Sequence, residues 1–362
     1  MQIVFLTATV ALVVPTLLPM VPLEAWWVRS FDFPRLQLCS LLLFLLLLEL
    51  ILLDWQKPVS VGLLLTAAIC LAYQAWWILP YTRLFPVEVK TTNNRDRRAS
   101  IRIITANVLT PNRNAEGLLE LVRTYDPDIL VTLESNGWWQ ERLDTLETEY
   151  PYTIKCPREN LYGMHVYSRY VLKNSRIEYL VEEHIPSMHT LAILPSGAEV
   201  RLHFLHPQPP SPQNRKASSP RDAELVVVAK SVAKTETPTI VTGDLNDVAW
   251  STTTRLFRKI SDLLDPRVGR GMFNTFHADY WFMRWPLDHL FHSDHFTLAV
   301  IKRLPGFGSD HFPLLAELVL ESDRRDEQEG LPGDRGDERK AEAKAKKEDV
   351  GDRDVPEPDK EM

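Results

Sequence analysis

Cysteine is scarce, with three in 362 residues, which excludes a disulfide-stapled scaffold. Cys39 and Cys70 stand in apolar runs and Cys156 stands alone. An excess of basic charge is also missing. Lys and Arg number 41 against 48 Asp and Glu, so the net charge is −7 and the chain is not a strongly basic nucleic-acid binder. Charge of either sign is nearly absent from the first 80 residues, where only Glu24, Arg29, Asp32, Arg35, Glu49, Asp54 and Lys57 carry it. The last 42 residues lack aromatic side chains and hold almost no aliphatic ones. So uneven a distribution excludes a single compact domain, and the length sets a prior of about two or three.

The charge-poor start contains three apolar runs, residues 3–23, 36–53 and 59–80, with Glu49 their only charge. Each is about the ~20 residues a helix needs to cross the hydrocarbon core. Three spans are therefore expected over residues 1–82, with the lipid bilayer as a partner. Pro15, Pro19 and Pro22 weaken the first run, for which a cleaved signal peptide is the alternative, although it lacks a basic leading segment. Trp26, Trp27, Trp55, Trp76 and Trp77 stand at run ends, where an interfacial aromatic belt belongs. Glu49 is expected to snorkel from a turn below the interface. Positive charge near the spans favours a cytoplasmic location for the rest of the chain. Arg29 and Arg35 share a side, by parity, with Arg83, Lys90, Arg95, Arg97 and Arg98, against Lys57 alone on the other.

Residues 83–99 read as a linker and residues 322–362, with 15 acids and 10 bases, as a disordered charged tail. Between them, at 100–321, strands are expected at 101–106, 129–133, 164–167, 191–194, 200–205, 239–241, 287–291 and 314–320. Helices are expected at 115–125 and 221–233. Strands and helices mix without a regular βαβ repeat, which favours an α+β sandwich over a doubly wound parallel sheet.

Polar groups gather where apolar strands end. Asn107 follows one, Glu134 another and His206 a third; Gly243-Asp244-Leu245-Asn246, Asp288-His289 and Ser309-Asp310-His311 complete the pattern. Hydrolysis of a phosphate ester needs such a set. Oxygen donors such as Asn107 and Glu134 suit Mg²⁺ or Mn²⁺. A carboxylate beside an amide can hold and deprotonate water, and an Asp–His pair can keep an imidazole charged. His203 and His289 are read as structural, as are His165, His184, His189, His277, His292 and His295.

In this order the residues resemble the endonuclease/exonuclease/phosphatase, or DNase I-like, superfamily, over roughly residues 100–320. The resemblance implies two packed mixed sheets flanked by helices, with the site at one edge of the sandwich. It implies Asn107 and Glu134 as the metal-binding pair, and Asp310 as a further metal or water contact. It implies Asp244 and Asn246 as the groups that position water and phosphate, Asp288 and His311 as the Asp–His pair, and His206 as a second catalytic histidine. Tyr162 is a candidate for the tyrosine that some nucleases use. The stiff stretch 207–212, Pro-Gln-Pro-Pro-Ser-Pro, departs from the loop usual in nucleases.

Three apolar runs bias the substrate toward a lipid-linked or small phosphate ester, because such a substrate is already at the membrane. Nucleic acid is less favoured, since the basic residues of 101–320 are scattered apart from a modest cluster at Arg215, Lys216 and Arg221. The expected protein is a multi-pass, metal-dependent phosphoesterase of a bacterial-type inner or plasma membrane. A non-catalytic interaction module is disfavoured by the completeness of the site. The aromatic strip at Tyr280, Trp281, Phe282 and Trp285 is expected to pack in the core or at a rim.

Overall fold

The computed structural model describes residues 1–94, 96–211 and 217–359. Three helices are long and apolar enough to cross a membrane: α1 (Gln2–Leu17), α3 (Arg35–Leu52) and α4 (Pro58–Ile78). A short helix, α2 (Trp26–Arg29), lies between the first two. Glu49 does not reach for an interface as expected. It is buried and accepts a hydrogen bond from Thr9 Oγ1 at 2.9 Å, because α1 offers a hydroxyl at the depth where α3 carries its carboxylate. Arg35 is likewise buried, bonded to Asp32 at 2.6 Å and to Gln74 at 3.0 Å.

Two sheets follow. β1 (Ser100–Asn107), α5 (Ala115–Tyr125), β2 (Ile129–Leu133), α6 (Gly137–Leu143), β3 (Tyr152–Cys156) and β4 (Met164–Ser168) begin the first. β5 (Val171–Glu178), β6 (Ser187–Ile193), β7 (Glu199–Leu205), α7 (Ser219–Val232), β8 (Thr239–Asp244), α8 (Thr252–Ser261) and β9 (Asp288–His292) build the second. β10 (Phe296–Arg303) and β11 (Leu314–Leu320) return to the first. The strand orders are β10-β11-β1-β2-β4-β3 and β5-β6-β7-β8-β9. The sheets close over one core that includes Ile103, Val131, Val166, Leu202, Ile240 and Leu290.

Local signals explain the helices. Asn114 caps α5 by accepting from Gly117 N, the face Leu118, Leu119, Leu121 and Val122 is buried, and left-handed Asp126 before Pro127 ends the helix. α5 and α6 cover the first sheet, and α7 and α8 the second.

Two expectations need correction. Part of the linker is built into the sandwich: Val89 is in the core, and Thr91 pairs with Leu298, which covers the exposed edge of β10. Arg97 reaches Asp126 at 3.5 Å; Arg95 lies outside the described residues. The tail contains a helix, α9 (Arg335–Lys347), whose Ala341 and Ala345 are buried against the α7 side of the second sheet. Ion pairs supply what the tail lacks in apolar mass, with Lys344 Nζ 2.6 Å from Asp222 and Lys259 Nζ 2.8 Å from Asp337.

Candidate active site

Strand direction and register bring the polar strand ends together. β1 and β2 run parallel with Asn107 opposite Leu133, so Asn107 and Glu134 leave the first sheet at one edge. β7 and β8 run parallel with Leu205 opposite Gly243, which sets His206 beside Asp244. β9 is antiparallel to β8 and starts there, with Asp288 opposite Asp244. β11 is antiparallel to β1, so the chain enters it from the same edge through Ser309, Asp310 and His311. The hydroxyls of Thr105 and Thr242, 2.8 Å apart, join the two sheets beneath this edge.

Asn107 Nδ2 donates to Glu134 Oε1 at 2.8 Å and lies 3.3 Å from Asp244 Oδ2. His311 Nδ1 is 2.7 Å from Asp288 Oδ2, and its Nε2 is 3.6 Å from Asp244 Oδ2. His206 Nε2 faces the same carboxylate oxygen at 3.9 Å. Asn246 N donates to Asp244 Oδ1 at 2.9 Å, while its Nδ2 donates to Pro207 O at 3.0 Å. Asp310 lines one cavity with Glu134, Asp244, Asn246 and His311. All eight candidate residues are thus at one edge of the sandwich. Tyr162 packs its ring 5.4 Å from His206.

Glu134 has φ +58°, a left-handed backbone that costs a residue with Cβ ~1 kcal/mol. Thr110 Oγ1, donating to its carbonyl at 2.6 Å, helps to hold it. Gly243 shows how close the strands come, since a Cβ there would meet Leu205 O at 1.8 Å.

The electrostatics separate the two histidines. Burial would lower His311, but Asp288 and Asp244 outweigh it and raise the imidazole to about 10. Burial drops His206 to about 4 against the pull of Asp244. One carboxylate therefore faces a cationic and a neutral imidazole, the divergence expected of groups with different tasks. Burial pushes Glu134 up to about 7, opposed by the Asn107 hydrogen bond and the charge of His311. Asp244 is raised by burial, against the charge of His311.

Glu134 Oε2 and Asp288 Oδ1 are buried without a hydrogen-bond partner among the described residues. Glu134 and Asp310 offer carboxylate oxygens that suit a hard divalent cation, while Asn107 turns its Nδ2 to Glu134 and its Oδ1 accepts from Leu109 N, so its oxygen would join them only with the amide turned over. Asp244, Asp288 and His311 form a second group, with ligand-type atoms within 4.8 Å of one another. His311 Nδ1 is already engaged with Asp288 there.

Several contributors were not legible in the sequence. Arg221 is buried and donates to Asn246 O at 2.8 Å and to Asp222, so it supports the Asp244 loop and is no part of a surface patch. Its expected companions Arg215 and Lys216 lie outside the described residues, as does Pro212. Thr275 Oγ1 accepts from Asp288 N at 3.1 Å, and the Phe276 ring lies 4.9 Å from His311.

The site opens into a cavity of about 710 Å³ whose far wall comes from the chain between α1 and α3. Trp26, Phe33 and Pro34 line it there, facing Phe282, Met283 and Trp285. Trp250 Nε1 donates to Asp32 O at 2.8 Å, and Gln37 Nε2 to Phe282 O at 2.8 Å, which ties this wall to the sandwich. The aromatic strip is a rim, with Trp281 79% exposed.

A two-sheet sandwich with carboxylates, an amide and an Asp–His pair at aligned strand ends defines a metal-dependent hydrolase of phosphoesters. Residues 104–311 match the model of the Endonuclease/Exonuclease/phosphatase family, and the chain belongs to that family. The fold is similar to that of D. rerio TDP2 complexed with single-strand DNA product, at TM-score 0.50 and 16% identity, over 61% of this chain and 99% of that one. It is similar to the human nocturnin catalytic domain with bound sulfate anion, at TM-score 0.51 and 18% identity, over 62% and 95%. A family protein from Bacteroides thetaiotaomicron gives 0.50 and 17%, over 62% and 97%. At these identities the likeness shows the fold alone. No curated protein matches the chain.

Proposed function

We propose that the protein is a membrane-anchored phosphoesterase that uses Mg²⁺ or Mn²⁺ to hydrolyse a lipid-linked phosphate ester. One observation carries this reading: the cavity that ends on Asp244 and His311 has apolar and aromatic walls supplied in part by the chain between the first two apolar helices. A phosphate could reach the strand ends while its hydrocarbon chain stays among Trp26, Phe33 and Phe282. Arg29 is the only arginine or lysine among the described lining residues, and it already donates to the carbonyls of Leu23 and Val21. A polyanionic nucleic acid would find little to neutralise it there. The single-strand DNA in the D. rerio TDP2 structure is what favours a tethered nuclease, the second reading.

In this reading Asn107, Glu134 and Asp310 would hold the cation, which would neutralise charge on the phosphoryl oxygens. Asp244, oriented by Asn246 N, accepts the proton of the attacking water. His311, kept cationic by Asp288, donates a charged hydrogen bond to a phosphoryl oxygen. His206 stays neutral and hydrogen-bonds to phosphate or water, and the Asp244–Asn246 turn sets their position.

The test uses the full chain in lipid nanodiscs with a panel of phospholipids, isoprenyl pyrophosphates, DNA and RNA. Cleavage of a lipid phosphate that needs Mg²⁺ or Mn²⁺ is expected. The variant Phe282→Ala should raise KM for that lipid and leave bis-p-nitrophenyl phosphate hydrolysis unchanged. Cleavage of DNA or RNA alone would replace this reading with the nuclease.

A further inference from the structure

A second cavity, of about 630 Å³, lies where the end of α1, the end of α4, α8 and the C-terminal helix α9 meet. Its floor is apolar. Met20 and Val21, just past α1, are exposed into solvent or lipid, and Trp77 closes the α4 side. Its rim is basic, with six Lys and Arg side chains against three carboxylates. Lys340, Lys344 and Lys347 share one face of α9 at helical spacing.

The three carboxylates are already matched. Lys347 Nζ lies 2.9 Å from Glu24, Lys344 Nζ 2.6 Å from Asp222 and Lys259 Nζ 2.8 Å from Asp337. Arg29 is held by backbone carbonyls. That leaves two cations. Lys340 is 71% exposed and only 3.5 Å from the already paired Asp337. Arg255 has no hydrogen-bond or ion-pair partner among the described residues, and its guanidinium lies over the Trp77 ring at 5.3 Å from the centroid. Burial holds Arg255 below the ordinary arginine value, which marks a cation short of an anion.

We propose that this cavity binds the phosphate headgroup of an anionic phospholipid, with Arg255 and Lys340 on the phosphate and the acyl chains running beside α1 and α4. The ends of two candidate spans place it at the depth of the headgroups, and a basic pocket between spans at that depth suits an anionic lipid. Arg255, stacked on an aromatic ring, presents its planar fork to one side. The two cavities adjoin at Arg29, but Arg255 and Lys340 line only this one, so the proposal stands whether or not the catalytic cavity takes a lipid.

The experiment is native mass spectrometry of the full chain purified from nanodiscs of equimolar phosphatidylcholine and phosphatidylglycerol. Phosphatidylglycerol should be retained over phosphatidylcholine. Arg255→Gln and Lys340→Gln should each reduce that preference by roughly fivefold, about one basic contact near a membrane surface. Arg255→Lys should keep most of it. Should Arg255→Gln fail to fold, exposed Lys340 carries the same test. Equal retention of both lipids, or full preference in both glutamine variants, would overturn the proposal. So would displacement by inorganic phosphate at low millimolar concentration, which would make this a soluble-anion site. The His311→Ala protein should retain the lipid unchanged; loss there would assign the lipid to the catalytic cavity instead.

Discussion

His311 Nδ1 lies 2.7 Å from Asp288 Oδ2, so the carboxylate at the start of β9 orients the imidazole just ahead of β11 and helps keep it cationic. In the proposed mechanism the two act as one unit. His311→Ala and Asp288→Asn should each lower kcat by at least ~10²-fold, and the double variant should be little worse than His311→Ala, because residues acting as a unit are non-additive. Steady-state kinetics of the three proteins checks this. Multiplicative losses would count against a paired role.

Glu134 offers a buried carboxylate oxygen with no partner among the described residues. Glu134→Gln keeps the shape and removes the charge that a divalent cation needs. Activity should fall by at least ~10²-fold with the melting temperature little changed. Chelation by EDTA should abolish wild-type activity, and added Mg²⁺ or Mn²⁺ should restore it. Full activity in EDTA would remove the metal from the mechanism.

Gly243 tests the close approach of β7 and β8 beside the site. With φ +153° and Leu205 O at 1.8 Å from the position of a Cβ, Gly243→Ala must push the strands apart. A loss of roughly 2 kcal/mol or more is expected from backbone strain and broken pairing. Urea unfolding measures it, and wild-type stability in the variant would show that the strands can yield.

The polar groups were visible in the sequence because they stand at or near the ends of apolar strands. The resemblance to the DNase I-like superfamily implied which of these groups belong together, and Asn107, Glu134, His206, Asp244, Asp288 and His311 meet because the aligned strands end at one edge. The three long apolar helices were legible because charge is nearly missing from them, Arg35 and Glu49 of α3 apart. The cavity wall was not. Trp26 and Phe33 meet Phe282 and Trp285 across some 250 residues, and contacts at that separation leave no local period. α9 was hidden for a different reason. Its buried face is alanine, and lysine–aspartate pairs to α7 and α8 hold it, so its composition resembles a solvated chain. β3, β5 and β10 have partly exposed faces that blur their alternation.

Acid sensitivity follows from a histidine pair in the second sheet. His189 Nδ1 and His203 Nδ1 are 2.6 Å apart, and Arg201 Nε donates to His203 Nε2 at 2.8 Å. His203 must therefore carry its proton on Nδ1 and give it to His189, an arrangement that needs both rings neutral. Burial, helped by the charge of Arg201, holds His189 down to about 3, and burial with the His189 and Arg201 charges puts His203 well below 6.5. The unfolded chain takes up these protons near 6.5 while the folded chain refuses them. Stability should thus be intact above that value and fall as pH drops toward 3, by up to about 1.4 kcal/mol per pH unit for each ring. Thermal melts across this range should show a smaller decline in His203→Leu than in the wild type. Parallel curves would show that other groups dominate.

The side of the membrane that carries the site is the remaining expectation, and charge favours the cytoplasm. Arg29 lies in the segment between α1 and α3 that packs on the sandwich and Arg35 is the first residue of α3, so these charges and the sandwich share a side, as three spans would require. Lys57 is alone opposite. Folding complicates the count, because Arg35 is spent on Asp32 and Gln74, and Arg97 belongs to the edge of the sandwich. The bias acts during insertion, however, before those contacts form, so the full chain in a bacterial host should still orient by it. A fluorescent protein that matures in the cytosol, fused after Met362, should fluoresce, and alkaline phosphatase fused at the same point should be inactive. A tag ahead of Met1 should be reached by protease from outside. Active phosphatase without fluorescence would put the catalytic edge outside. Cytosolic nucleic acid would then be out of reach, while a lipid phosphate would remain accessible from the outer leaflet.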